Sequence, residues 1–98
     1  MVKHMIIWKL KPECNNDSVK AEIKQRLEGL AGKIEGLLKM EILTECFDCS
    51  AGDIMMNSEF LNFEALEFYQ NHPLHKDIAV NLVRPSVESR LSFDYLEK

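Results

Sequence analysis

Tyr69, His72 and His75 lie within seven positions of one another, in the stretch EFYQNHPLHKD from Glu67 to Asp77. A phenol that donates a hydrogen bond beside an imidazole that accepts a proton is the pairing that acid–base chemistry next to a carbonyl requires. H-P-x-H is poor metal spacing by itself, and no Glu or Cys completes a set, so no transition-metal site is expected. His72 precedes Pro73 and reads as a helix cap or an exposed turn residue. At about 100° per residue, Leu74, His75, Ile78, Ala79 and Leu82 share one face of a helix opened by Pro73, with His75 near the middle. His75 is therefore predicted to face inward, near the positive end of the helix dipole. Burial and dipole both disfavour imidazolium and leave a neutral ring able to act as a base. Tyr69 falls on the apolar stripe of its own helix with Ala65 and Leu66. Read without chemistry, Tyr69 is a core aromatic whose hydroxyl a neighbour satisfies, and His75 is a buried histidine bonded to backbone.

The cysteines give a second pattern, CFDC at Cys46 and Cys49, with Cys14 apart. An odd number of cysteines without a secretion signal favours free thiols over a disulfide framework. A zinc site would want a second pair, and a redox pair would open a helix, whereas CFDCSAGD sits between two strand-like segments. These are expected to be loop thiols.

The elements that must position Tyr69 and His75 follow from periodicity. Val2 to Lys11 reads as a strand with Val2, His4, Ile6, Trp8 and Leu10 on one face. The NNDS run, Asn15 to Ser18, offers N-caps for a helix carrying Val19, Ile23, Leu27, Leu30 and Ile34, bracketed at its end by Gly32 and Gly36. Leu37 to Glu45 is a second strand with Leu38, Met40 and Ile42 together, and Asp53 to Phe60 a third. Asn62 caps a helix through Tyr69, with Leu61 and Leu66 spaced as a hydrophobic staple. The Pro73 helix follows and ends at Pro85. Val87 to Leu96 is the last strand, placing Leu91, Phe93 and Tyr95 opposite Arg90, Ser92 and Asp94. The order β-α-β-β-α-(α)-β is the ferredoxin-like split pattern, an α+β fold with helices on one face of a four-stranded antiparallel sheet. Both sheet faces carry apolar groups and the helices cover only one. The other is expected to pair with a second copy, sheet to sheet, in a two-fold homodimer.

Length and charge narrow the classes of function. A chain of 98 residues supports one domain, spanning 1–98. A net charge of -4 without a basic stripe argues against nucleic-acid or anionic-membrane partners. MVKHMIIWKLK does not read as a signal peptide, and no apolar run is long enough for a membrane helix, so a cytoplasmic location is expected.

VKHMIIWKLK, LAGKIEGL, SEFLNFEALEFYQNHPLH and VESRLSFDY together resemble the stress-responsive dimeric α/β-barrel (Dabb) family, in order from Val2 to Tyr95. The resemblance implies a ferredoxin-like subunit and a dimer that closes a barrel between two sheets. Within the family, the spacing of Tyr69 and His75 resembles the catalytic pair of plant olivetolic acid cyclase, an aldol cyclase that needs no cofactor. His4 falls on that enzyme's pocket histidine in VKH, and Asp94 on the acidic residue of FDY. The sequence departs where Asp53 replaces a pocket histidine and where Arg90 and Ser92 replace apolar residues. The resemblance thus implies His75 and Tyr69 as catalytic and His4, Ile6, Trp8, Asp53, Met55, Arg90 and Asp94 as pocket residues, with no metal and no cofactor. The more polar lining suits an oxygenated or acidic small molecule, with Arg90 meeting a carboxylate or enolate. Two other functions remain open: a non-catalytic ligand-binding or stress-protective module, and a cofactor-free monooxygenase on the same subunit plan.

Overall fold

The computed structural model describes residues 1–98. Strand β1 (Val2–Leu10) leads through a short 3-10 turn to helix α1 (Asp17–Glu28), then β2 (Leu37–Leu43) and β3 (Ile54–Phe60). Helix α2 (Phe63–Asn71) and helix α3 (Pro73–Ile78) follow. A π-helical turn (Ala79–Val83) and a last turn, α4 (Arg84–Ser86), then lead into β4 (Val87–Leu96). The strands form one antiparallel sheet in the order β2-β3-β1-β4. This is the ferredoxin-like arrangement expected from the pattern. No helix is long and apolar enough to cross a membrane.

Local chemistry sets the boundaries. Asn16 and Asn62 have extended backbones, and their side chains accept from the N–H groups of Val19 and Ala65 at the starts of α1 and α2. Pro73 opens α3, where its missing N–H costs nothing. Leu66 is buried in the core, whereas Leu61 at the α2 entry is 61% exposed.

Side-chain alternation then builds the core. Val2, Ile6, Trp8 and Leu10 on β1 stack beside Ile54, Met56 and Phe60 on β3 and Met40 and Ile42 on β2, under Ile23, Leu27, Leu66, Tyr69 and Ile78 from the helices. Two details differ from the periodic reading. A register shift between Leu37 and Lys39 puts Leu37 into the core and leaves Leu38 51% exposed, so Leu38 does not share the face of Met40 and Ile42. Helix α1 stops at Glu28, and Leu30 and Ile34 reach the core through turns instead. Gly36, at φ 87°, closes those turns where an added Cβ would stand 2.5 Å from the Ala65 side chain. That approach admits only glycine.

Strand β2 is an edge, and α1 closes part of it. Glu28 accepts the Ile42 N–H at 2.9 Å, and Lys24 donates to the Ile42 carbonyl at 2.7 Å and to Glu28 at 2.8 Å. Satisfying both backbone groups of one edge residue removes a template for strand addition.

The opposite sheet face carries no helix. Ile7 faces Leu91 on β4 and Met55 on β3, Met55 in turn faces Leu43 on β2, and Met5 faces Phe93. Leu91 and Phe93 are each 69% exposed. These apolar side chains thus lie side by side on the face that no helix covers.

A candidate active site beneath the helices

A cavity of about 550 Å³ opens between the sheet and the helical layer. Strand β1 supplies His4, Ile6 and Trp8, whose inward parity comes from strand alternation. Helix α2 supplies Tyr69 and Gln70, and α3 supplies His75. The π turn and α4 supply Ala79, Val83 and Arg84, and β4 adds Arg90 with Glu88 and Ser89 at its start. Leu27 and Met56 complete the apolar floor.

Tyr69 is 1% exposed, and its hydroxyl has no hydrogen-bond partner within the chain. An unmade bond of this kind costs about 1–3 kcal/mol. Burial also pushes the phenol well above its ordinary pKa, so the group is a firmly protonated donor. The sequence reading in which a neighbour satisfies this hydroxyl is not what the structure shows.

His75 packs against the Tyr69 ring, with centroids 4.3 Å apart and planes at 39°. Its Nδ1 lies 3.3 Å from the Gln70 carbonyl. A carbonyl only accepts, so Nδ1 carries the proton and Nε2 of the neutral ring keeps its lone pair. Desolvation lowers the pKa of His75, the Gln70 bond opposes this, and the charges of His4, Arg84 and Arg90 lower it further. The result is a ring that stays neutral, and able to take a proton, below the usual imidazole range.

His4 is buried, and its Nδ1 pairs with the Asp94 carboxylate across β1 and β4. Asp94 therefore orients a lining ring without lining the cavity itself. Arg90 sits opposite Trp8 in the same ladder. His72 caps α3, accepting the Leu74 N–H on Nδ1 at 3.1 Å.

Three residues expected in the pocket do not line it: Asp94, which acts only through His4, and Met55 and Asp53. Met55 faces Ile7 across the ladder, on the helix-free side, because its parity is opposite to that of Met56. Asp53 turns to the chain instead: its Oδ2 accepts the Leu10 N–H at 2.8 Å and its Oδ1 accepts from Asn15 at 3.4 Å. It pins the end of β1 to the start of β3. Asp53→Ala is expected to leave the Leu10 N–H unpaired and lower unfolding stability by about 1–3 kcal/mol in a urea titration. The sequence reading in turn passed over Arg84, Gln70, Glu88 and Ser89. Arg84 stood next to Pro85 at what looked like a helix end, and only the continuation through Ser86 turns it to the cavity wall.

Cys46 and Cys49 are exposed on the loop before β3, and Cys14 is partly buried. No group of three or more His, Cys, Asp or Glu side chains converges in metal-binding geometry.

The sequence matches the family model described as the stress responsive A/B barrel domain over residues 2–97. A dimeric protein of unknown function and ferredoxin-like fold from Bacteroides fragilis is 29% identical, with a TM-score of 0.87 over 98% of this chain and 95% of that one. A Dabb family protein with a ferredoxin-like fold from Mesorhizobium loti is 21% identical, with a TM-score of 0.82 over 99% and 96%. A hydroxynitrile lyase from Passiflora edulis shares 13% identity and a TM-score of 0.82 over 99% and 93%, a likeness of fold. No curated protein matches the chain.

Proposed function

Because the chain belongs to the stress responsive A/B barrel domain family, we propose that it is a homodimer, joined through the helix-free sheet face, with a small-molecule pocket in each subunit. In that pocket His75 and Tyr69 carry out cofactor-free proton transfer next to a carbonyl. The observation that carries this reading is the buried Tyr69 hydroxyl left without a partner beside a neutral His75. A core aromatic gains nothing from such a hydroxyl, whereas a substrate carbonyl oxygen would complete it. Tyr69 then donates to that oxygen while His75 Nε2 takes a proton from the adjacent carbon. The electron pair of the broken C–H bond moves into an enolate held by the Tyr69 hydrogen bond. The imidazolium returns the proton to carbon, or to an oxygen if the enolate attacks a second carbonyl as in a cyclase. His4, fixed by Asp94, and Trp8 shape the wall on which the substrate lies.

The test is deuterium exchange into the methyl group of acetophenone in D₂O, followed by NMR with the wild-type protein and Tyr69→Phe. Losing the one donor to the developing oxyanion is expected to slow exchange by roughly 10²–10³-fold. The same substitution is expected to raise the melting temperature or leave it unchanged, because it deletes an unsatisfied buried group. Unaltered exchange in Tyr69→Phe would sink the catalytic role. Ligand binding without any exchange would favour a non-catalytic binding module.

A further inference from the structure

Two cations meet at the cavity from different elements, Arg84 from α4 and Arg90 from β4. Neither guanidinium belongs to any of the chain's ion pairs or side-chain hydrogen bonds, which engage Lys3, Lys9, Lys20, Lys24, Arg26 and Lys39 instead. The one carboxylate on the lining, Glu88, lies 3.7 Å from Lys9 Nζ, and Asp94 is taken up by His4. The wall therefore holds ten uncommitted N–H donors on two planar forks, counting five to each guanidinium. Single unpaired arginines on an open surface are ordinary. Here two exposed arginines line one cavity, in a chain of net charge -4, beside a buried hydroxyl that has no partner within the chain, and together they suit an anion that also carries a hydrogen-bond acceptor.

We propose that the cavity takes a small oxo acid, with its carboxylate held by Arg84 and Arg90 and its carbonyl directed to Tyr69 and His75. The carbonyl end rests on the acid–base reading above; the carboxylate end rests on the two arginines alone. Guanidinium suits the task because it binds both oxygens of a carboxylate at once, which fixes orientation as well as charge. Anchoring the acid at α4 and β4 places the rest of the molecule along Trp8 and Ile6, toward the Tyr69 hydroxyl. The two arginines thus select the class of substrate, and Tyr69 and His75 act on it.

The probe is 4-oxo-4-phenylbutanoate compared with its methyl ester, which keeps the ketone and removes the charge. Isothermal titration of the full chain is expected to show the acid bound at least roughly tenfold more tightly than the ester. Arg84→Gln and Arg90→Gln are each expected to weaken the acid by about tenfold and leave the ester unchanged. Equal affinity for acid and ester, no binding of the acid, or a preference that survives Arg84→Gln/Arg90→Gln would each overturn the proposal. The wild-type comparison needs no variant, so misfolding cannot decide the outcome. Charge selectivity without proton exchange would remove the catalytic reading and leave the acid site standing. Exchange of acetophenone without charge selectivity would do the reverse.

Discussion

His75→Gln is expected to slow proton exchange next to a ketone carbonyl by roughly two to four orders of magnitude, the range for losing a positioned general base. Glutamine preserves the fold at this position, since its amide can still donate to the Gln70 carbonyl that His75 Nδ1 now meets. The wild-type rate should rise with pH and level off above a pKa lower than the ordinary imidazole value of 6.5, because burial and the nearby cations disfavour the charged ring. The same shift has a consequence for stability. The unfolded chain binds the proton near pH 6.5, whereas the folded chain resists it until lower pH. Between those two values the unfolded state holds more protons, so unfolding free energy falls as pH is lowered through this window. Below the folded pKa both states are protonated and the loss stops growing. His75→Gln removes that part of the slope. A denaturation series across the window, with an unchanged slope in the variant, would show that the ring is not pocketed as described.

Replacing Leu91 and Phe93 together by Asp is expected to convert the proposed homodimer to a monomer in size-exclusion chromatography with light scattering. These side chains project from the helix-free face, 69% exposed, beside Ile7 and Met5 on β1. Carboxylates there would have to be desolvated between two apolar sheets, at a cost of several kcal/mol for each unpaired ion. Neither residue belongs to the core or lines the cavity, so the monomer should retain its secondary structure. A structure 29% identical is described as dimeric, and on this chain the helix-free face is where Leu91 and Phe93 stand exposed. A double variant that elutes as a dimer would move the interface elsewhere.

The strands and helices were legible because their signals are periodic and local. Alternation from Val2 to Leu10 placed His4 and Trp8 inward, and the spacing after Pro73 turned His75 toward the core. What escaped depended on single-residue irregularities. The shift between Leu37 and Lys39 exchanges the faces of two leucines, and no composition signal marks it. Met55 and Asp53 were drawn into the pocket by resemblance, against the strand parity that puts Met56 there and Met55 on the other side. The pairing of His4 with Asp94 spans ninety positions and follows from the β1–β4 register, which no local pattern marks. Arg84 could not be read at all, because a helix presumed to stop at Pro85 gives no direction to the residue before it.

The cause lies in the five-residue turn from Ala79 to Val83. Pro85 has no N–H to return to Asn81, and its ring crowds that carbonyl. The chain widens ahead of it, with the Arg84 N–H reaching back five residues to Ala79. One extra residue is thereby accommodated in the helix. Deleting a single residue from this turn would restore ordinary helical winding and shift the short segment between it and β4, Arg84 included, by about 100° around the helix axis. The guanidinium of Arg84 would leave the cavity wall while the sheet and the Tyr69–His75 pair stayed in place. Insertion or loss of one residue here is therefore a discrete step by which chains of this fold could gain or lose an arginine on the cavity wall without rebuilding the Tyr69–His75 pair.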